Sequence, residues 1–149
     1  MMFIRIHSHE DLEYYWGSPL QRASDKGYPD IYDNGMYWVM FKDQLPIAYT
    51  TSIECDGFFF VGNTYVRKEY RKQGLHSQLL EYRNEQIGDV PKITVVNPIE
   101  DTKMEQLVKT IKRLGYEKIQ KLSDISDLMS DTMFYDIDLD KYELWRLDP

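Results

Sequence analysis

The sequence predicts a mixed α/β fold, with a mostly antiparallel central sheet of six to seven strands and helices on both faces. Three observations predict it. Three strand-like segments follow one another between Met36 and Val66. Helical periodicity appears after Gly74 and again from Met104. The full order is β, α, α, three strands, α, β, α and two strands, which lacks the regular strand–helix alternation of a doubly wound parallel sheet. No repeat, low-complexity tract or linker interrupts the 149 residues. The expectation is therefore one domain spanning 1–149, a size that buries roughly 70% of the unfolded chain's surface.

Phe3, Ile4 and Ile6 predict an opening strand. Ser8 then caps a helix with Asp11 at its third position and Leu12, Tyr15 and Trp16 on its apolar side. Ser18, Pro19 and Gln21 supply cap, first-turn proline and capping-box partner for a second helix that Gly27 ends. Met36 to Phe41 is apolar and aromatic, Lys42 to Pro46 reads as a turn, and Ile47 to Glu54 is rich in β-branched residues. Asp56–Gly57 marks a hairpin, after which Phe58 to Val66 forms the third strand of a meander. Leu75, Leu79, Leu80, Tyr82 and Ile87 then follow helical spacing, and Gly88 stops the helix. Ile93 to Val96 is of strand length. Asn97, Pro98 and Glu100 cap a second long helix carrying Met104, Leu107, Val108, Ile111 and Leu114, which Gly115 ends. Glu117 to Lys121 and Met133 to Leu139 are the two final strands.

Composition narrows the function classes. Hydrophobic residues at 42% and charged residues at 29% describe a globular protein rather than a disordered one. A single cysteine, Cys55, excludes an internal disulfide or a cysteine-based metal cluster and points to a reducing, cytoplasmic setting. The N-terminal MMFIRIHSHEDLEYYW has no signal-peptide core, and no stretch approaches the apolar length of a membrane span. The net charge of −7 argues against nucleic acid or anionic lipid as partner. His7, His9, His76 and Cys55 lack metal-ligand spacing, so no metal is expected. His76 and Ser77 have no placed carboxylate for a triad, and neither nucleotide glycine motif occurs.

Against this acidic background, Arg67, Lys68, Arg71 and Lys72 form a basic cluster where a strand passes through a glycine-containing turn into a helix. The first N–H groups of a helix sit at the positive end of its dipole, so such a turn suits a phosphate. Gly74 lets the backbone come close, and Arg71 and Lys72 add charge.

The segment VRKEYRKQGLHSQLL resembles the coenzyme A signature of the GNAT superfamily of acyl-CoA N-acyltransferases, whose core is R/Q-x-x-G-x-G/A. Arg71 matches the first position and Gly74 the fourth, while His76 stands where Gly or Ala is usual. The resemblance implies a GNAT-like fold. It implies acetyl-CoA or another acyl-CoA held by Tyr65, Val66, Arg71, Lys72, Gln73, Gly74, Leu75 and His76, with the Val66 backbone pairing with the pantetheine arm. It also implies transfer of the acyl group to a primary amine on a small molecule or protein. The later LGYEKI resembles the family's L-G-F corner. A family tyrosine four residues before that glycine is here Ile111, and a glutamate six residues before the valine is here Phe60, so neither acid nor base carries over. Tyr65, Tyr49 and Asn63 are the replacements the sequence offers. A GNAT-fold binding protein without turnover is the alternative.

Overall fold

The computed structural model describes residues 2–8, 35–96, 104–128 and 139–149. The strands are β1 (Met2–His7), β2 (Met36–Lys42), β3 (Leu45–Glu54), β4 (Phe59–Val66), β5 (Lys92–Val96), β6 (Glu117–Lys118) and β7 (Glu143–Leu147), and the α-helices are α1 (Leu75–Ile87) and α2 (Met104–Arg113). Among the described residues the strands form one sheet in the order β1-β2-β3-β4-β5-β7-β6. β4 and β5 run parallel. β1–β2, β2–β3, β5–β7 and β6–β7 are antiparallel. The fold is thus the mixed, largely antiparallel α/β arrangement expected. Two compact units divide the chain, residues 1–53 with 62–87 and residues 54–61 with 88–149.

The first unit is built on alternation. Trp38, Met40, Ala48 and Val66 cluster with Leu75 and Leu79 of α1, while Tyr37, Val39 and Tyr49 on the opposite face of the strands are also buried. β2 is buried on both sides, which explains why its sequence is continuously apolar. The β2–β3 turn is tighter than expected. Asp43 and Gln44, both at positive φ (49° and 75°), make the whole turn, so β3 begins at Leu45 rather than Ile47. Pro46 then lies inside the strand, where it has no N–H to offer the ladder. The register skips there, pairing Met40 with Ala48 but Phe41 with Pro46, which leaves Ile47 as a bulge.

In the second unit, β5 lies between the start of β4 (Phe59–Val61) and β7. Ile93, Ile111, Tyr116, Ile119, Ile125 and Leu144 are buried here. The Leu114–Gly115–Tyr116 corner ends α2 as a Schellman motif. Tyr116 N–H donates to the Ile111 carbonyl at 3.0 Å and Gly115 N–H to that of Lys112 at 3.0 Å, with Gly115 at φ 103°. Ile111 and Tyr116, the apolar pair of that motif, are both 3% exposed.

Two strand assignments need correction. Glu117 to Lys121 pairs only over Glu117–Lys118, because the Asp124 carboxylate accepts the Gln120 and Lys121 N–H groups and draws the chain into a 3₁₀ turn, Leu122–Ile125. β7 was not anticipated: its ELWRL contains two charged residues, yet it fills the place between β5 and β6. The helices expected after Ser8 and Ser18, the Asn97 cap and the strand from Met133 lie outside the described residues, except that Leu139 falls in a turn.

Candidate functional site

The basic turn joins β4 to α1 within the first unit. Past Val66 the chain makes a short 3₁₀ turn, Lys68–Tyr70, and α1 starts at Leu75. Two features tie the end of β4 to its neighbours. Arg67 N–H donates to the Ile47 carbonyl at 2.8 Å, and its Nε donates to the Pro46 carbonyl at 2.6 Å, so the bulge in β3 presents both acceptors to one residue. Because Arg67 N–H points toward β3, strand alternation turns the backbone groups of Val66 away from it.

Arg71 meets Val66 there. Its Nε donates to the Val66 carbonyl at 2.8 Å, and its guanidinium carbon lies 5.6 Å from the Tyr65 ring centroid. Tyr65 in turn leans on Tyr49, with centroids 5.7 Å apart and planes 35° apart. The guanidinium is thereby fixed against β4 by a hydrogen bond and a cation–π contact. Half of the Val66 backbone expected to pair with a ligand is engaged by the protein itself.

The turn itself is unusual backbone. Lys72 has φ 64° and Gly74 φ 77°, with Gln73 between them on the ordinary negative side. A positive φ costs a non-glycine residue about 1 kcal/mol or more, and it is held here at the candidate site. Alternating handedness is the pattern that makes successive N–H groups converge into an anion-binding concavity. A Cβ built at Gly74 would meet nothing within 4 Å, so this glycine is required by its φ and opens on free space. Gln78 N–H bonds back to the Gly74 carbonyl at 3.1 Å, which starts the helical ladder. α1 carries no acidic residue in its first turn.

The eight expected cofactor residues therefore gather at one place. Lys72, Gln73 and Gly74 are exposed, Tyr65, Arg71 and His76 half-buried, and Val66 and Leu75 buried with the α1 core. The donors present fit an anionic diphosphate: two cations, a left-handed glycine and a helix start free of carboxylates. Among the described residues no group of three or more His, Cys, Asp or Glu side chains is disposed to hold a metal ion. No described helix is long and apolar enough to cross a membrane.

Of the candidates for proton transfer, Tyr49 is buried and Tyr65 half-buried; Phe60 and Ile111, which stand where the family has its base and acid, are buried apolar side chains at 7% and 3% exposure. Asn63 lies on β4. Sequence reasoning passed over Arg83, although it falls four residues after Leu79 and four before Ile87, on the apolar stripe of α1. It is 2% exposed, and its Nη1 donates to Thr50 Oγ1 at 2.8 Å. Thr50 Oγ1 is in turn 2.8 Å from Thr64 Oγ1 on β4. The available signal was that spacing, which sets Arg83 in line with Leu75, Leu79 and Ile87.

No family model matches the sequence, and no curated protein matches it. Solved structures do. An acyl-CoA N-acyltransferase from Pseudomonas aeruginosa superposes with a TM-score of 0.63 at 17% identity, over 99% of this chain and 99% of that one. The ribosomal-protein-S18-alanine N-acetyltransferase from Escherichia coli gives 0.63 at 14% identity over 99% and 93%. An acetyltransferase of the GNAT family from Staphylococcus aureus gives 0.63 at 14% over 99% and 98%. At these identities the likeness is one of architecture, and it is nearly complete in length: the chain has the fold of the GNAT-family acyl-CoA N-acyltransferases.

Proposed function

We propose that the chain acts as a single acyltransferase domain, moving an acyl group, acetyl in the simplest case, from acyl-coenzyme A to a primary amine. The observation that carries the reading is the turn 71–76, where left-handed Lys72 and Gly74 lead into an acid-free helix start. In this reading the diphosphate is received by the backbone of Gln73 to His76 with Arg71 and Lys72 beside it, because a helix start and adjacent cations favour an anion. His76 is compatible with that role, since the donor is backbone and not side chain. The Val66 carbonyl is held by Arg71, so the pantetheine arm would bond to the Val66 N–H instead. Acyl-coenzyme A supplies an activated thioester, and the protein's part is to orient it and exclude water.

The acceptor would arrive as an ammonium ion, which the net charge of −7 attracts, and must lose a proton before attack. Calorimetry with coenzyme A tests the reading: binding in the micromolar to millimolar range supports it, and no heat at millimolar ligand sinks it. A binding protein of the same fold without turnover is the second reading, favoured by the buried apolar Phe60 and Ile111. Release of free coenzyme A thiol across a panel of amines separates the two.

A further inference from the structure

β1 ends the sheet and has one neighbour among the described strands, β2. Edge strands in native proteins are commonly blunted by a proline, a bulge or several charges. β1 is not blunted in these ways: MFIRIH carries one cation, and its register against β2 runs unbroken from Met2↔Lys42 to His7↔Tyr37. Its apolar side chains also reach solvent. Of the three large apolar side chains exposed among the described residues, Met2 at 40% and Ile6 at 54% belong to this strand, while Leu45 lies two strands in. Ile4 between them packs against the cluster formed with α1, so alternation puts Met2, Ile4 and Ile6 on one face and Arg5 on the other.

A second copy of this chain fits that edge. Residues opposite one another in an antiparallel ladder share a face, so a two-fold pairing of β1 with itself must be centred on a residue of the strand. Centring on Phe3 leaves Ile6 beyond the end of the other strand. Centring on Arg5 sets two arginines opposite each other, and like charges directly opposite are destabilising. Centring on Ile4 pairs Met2 with Ile6, Ile4 with Ile4 and Ile6 with Met2, and sets Arg5 opposite Phe3. Each exposed apolar side chain of the strand then meets an apolar one, and symmetry repeats the contact. We propose that β1 is a self-complementary edge through which two copies of this chain associate, antiparallel and centred on Ile4. The edge is independent of the cofactor reading above. A pair of six-residue strands is about 20 Å long, small beside the interfaces of permanent dimers, so the association is weak, with Kd on the order of 100 μM.

Sedimentation equilibrium over about 10–1000 μM protein measures the dimer, in about 0.15 M salt to screen the charge of −7 on each copy. Wild type should dimerise. Ile6→Lys should weaken the dimer by about tenfold or more, since the lost contact occurs twice. Met2→Lys/Ile6→Glu should recover part of that loss, because each introduced cation then faces an introduced carboxylate. Leu45→Lys, off the edge, should leave the dimer unchanged. Cysteine crosslinking under mild oxidation, in a Cys55→Ser background, reads the register. Residues directly opposite have Cα atoms about 4.5–5.5 Å apart, within disulfide reach, so Ile4→Cys should give a covalent dimer. Ile6→Cys should not, because its counterpart lies four residues along the other strand, roughly 14 Å away. A chain that is monomeric at about 1 mM overturns the proposal, since even a weak strand pair would show there. So does a dimer that Ile6→Lys leaves intact, an equal loss in Leu45→Lys, or crosslinking at position 6 and not at 4, each of which puts association on another surface or in another register.

Discussion

Gly74 separates what the turn does for folding from what it does for a ligand. Its φ of 77° is left-handed, and a Cβ there meets nothing within 4 Å. Gly74→Ala should therefore cost only backbone strain, about 1–2 kcal/mol, with no steric term. For a chain of this size each kcal/mol lowers Tm by roughly 2–4 °C, so the variant should melt roughly 2–8 °C below wild type. Gly74→Glu should melt within a few degrees of the alanine variant, since its side chain enters the same open space. Its effect on coenzyme A should be far larger. A carboxylate within about 4 Å of a phosphate charge opposes binding by on the order of 1–4 kcal/mol, from fully solvated to partly screened, which is roughly five- to thousandfold in Kd. Thermal melts and calorimetry on the same two variants read the two terms separately. A Gly74→Ala protein as stable as wild type would contradict the strained-turn account. Equal coenzyme A affinity in the alanine and glutamate variants would refute the placement of the diphosphate.

Three other outcomes are expected. Leu79 is fully buried against β2 and β3, so Leu79→Ala should cost about 2–5 kcal/mol, seen as a lower denaturant midpoint at constant m. Arg146 grips the Asp127 carboxylate with two bonds of 2.8 Å and holds its pKa below the usual carboxylate range. A depressed carboxyl stabilises above its unfolded pKa and loses that effect as pH falls through the folded value. Asp127→Asn should thus be slightly less stable than wild type at pH 7, by a small amount because the pair is exposed, and the difference should shrink as pH falls below the usual carboxylate range. A difference that grows on acidification would reverse the assignment. For any amine found to be acylated, the rate should rise across roughly pH 7–9 as neutral amine accumulates, and salt should raise the acceptor KM through screening. A flat pH profile with a salt-independent KM would count against a cationic acceptor.

Local chemistry made much of this chain legible. The apolar and aromatic run of β2, the Asp56–Gly57 hairpin, the α1 spacing and the glycines at 88 and 115 each express a preference within a few residues, and the structure keeps them. Even the Leu114–Gly115–Tyr116 corner follows from local backbone demands, since a left-handed residue there lets Tyr116 and Gly115 reach back to the last carbonyls. What the sequence could not express are the choices made by partners distant in the chain. β7 reads as weakly strand-like because Arg146 and Glu143 interrupt it, yet pairing with β5 and β6 outweighs that propensity. Glu117 to Lys121 reads as a strand, but one side-chain cap from Asp124 ends it early. Arg71 reads as a cation free to reach a phosphate, and only the fold sets Tyr65 and the Val66 carbonyl where they fix it. Arg83 stands in line with Leu75, Leu79 and Ile87, so spacing turns its position inward while its charge argues for solvent. Its burial depends on Thr50, 33 residues away, offering an acceptor beneath α1, and hydrogen bonds between distant segments leave no periodic trace in a sequence.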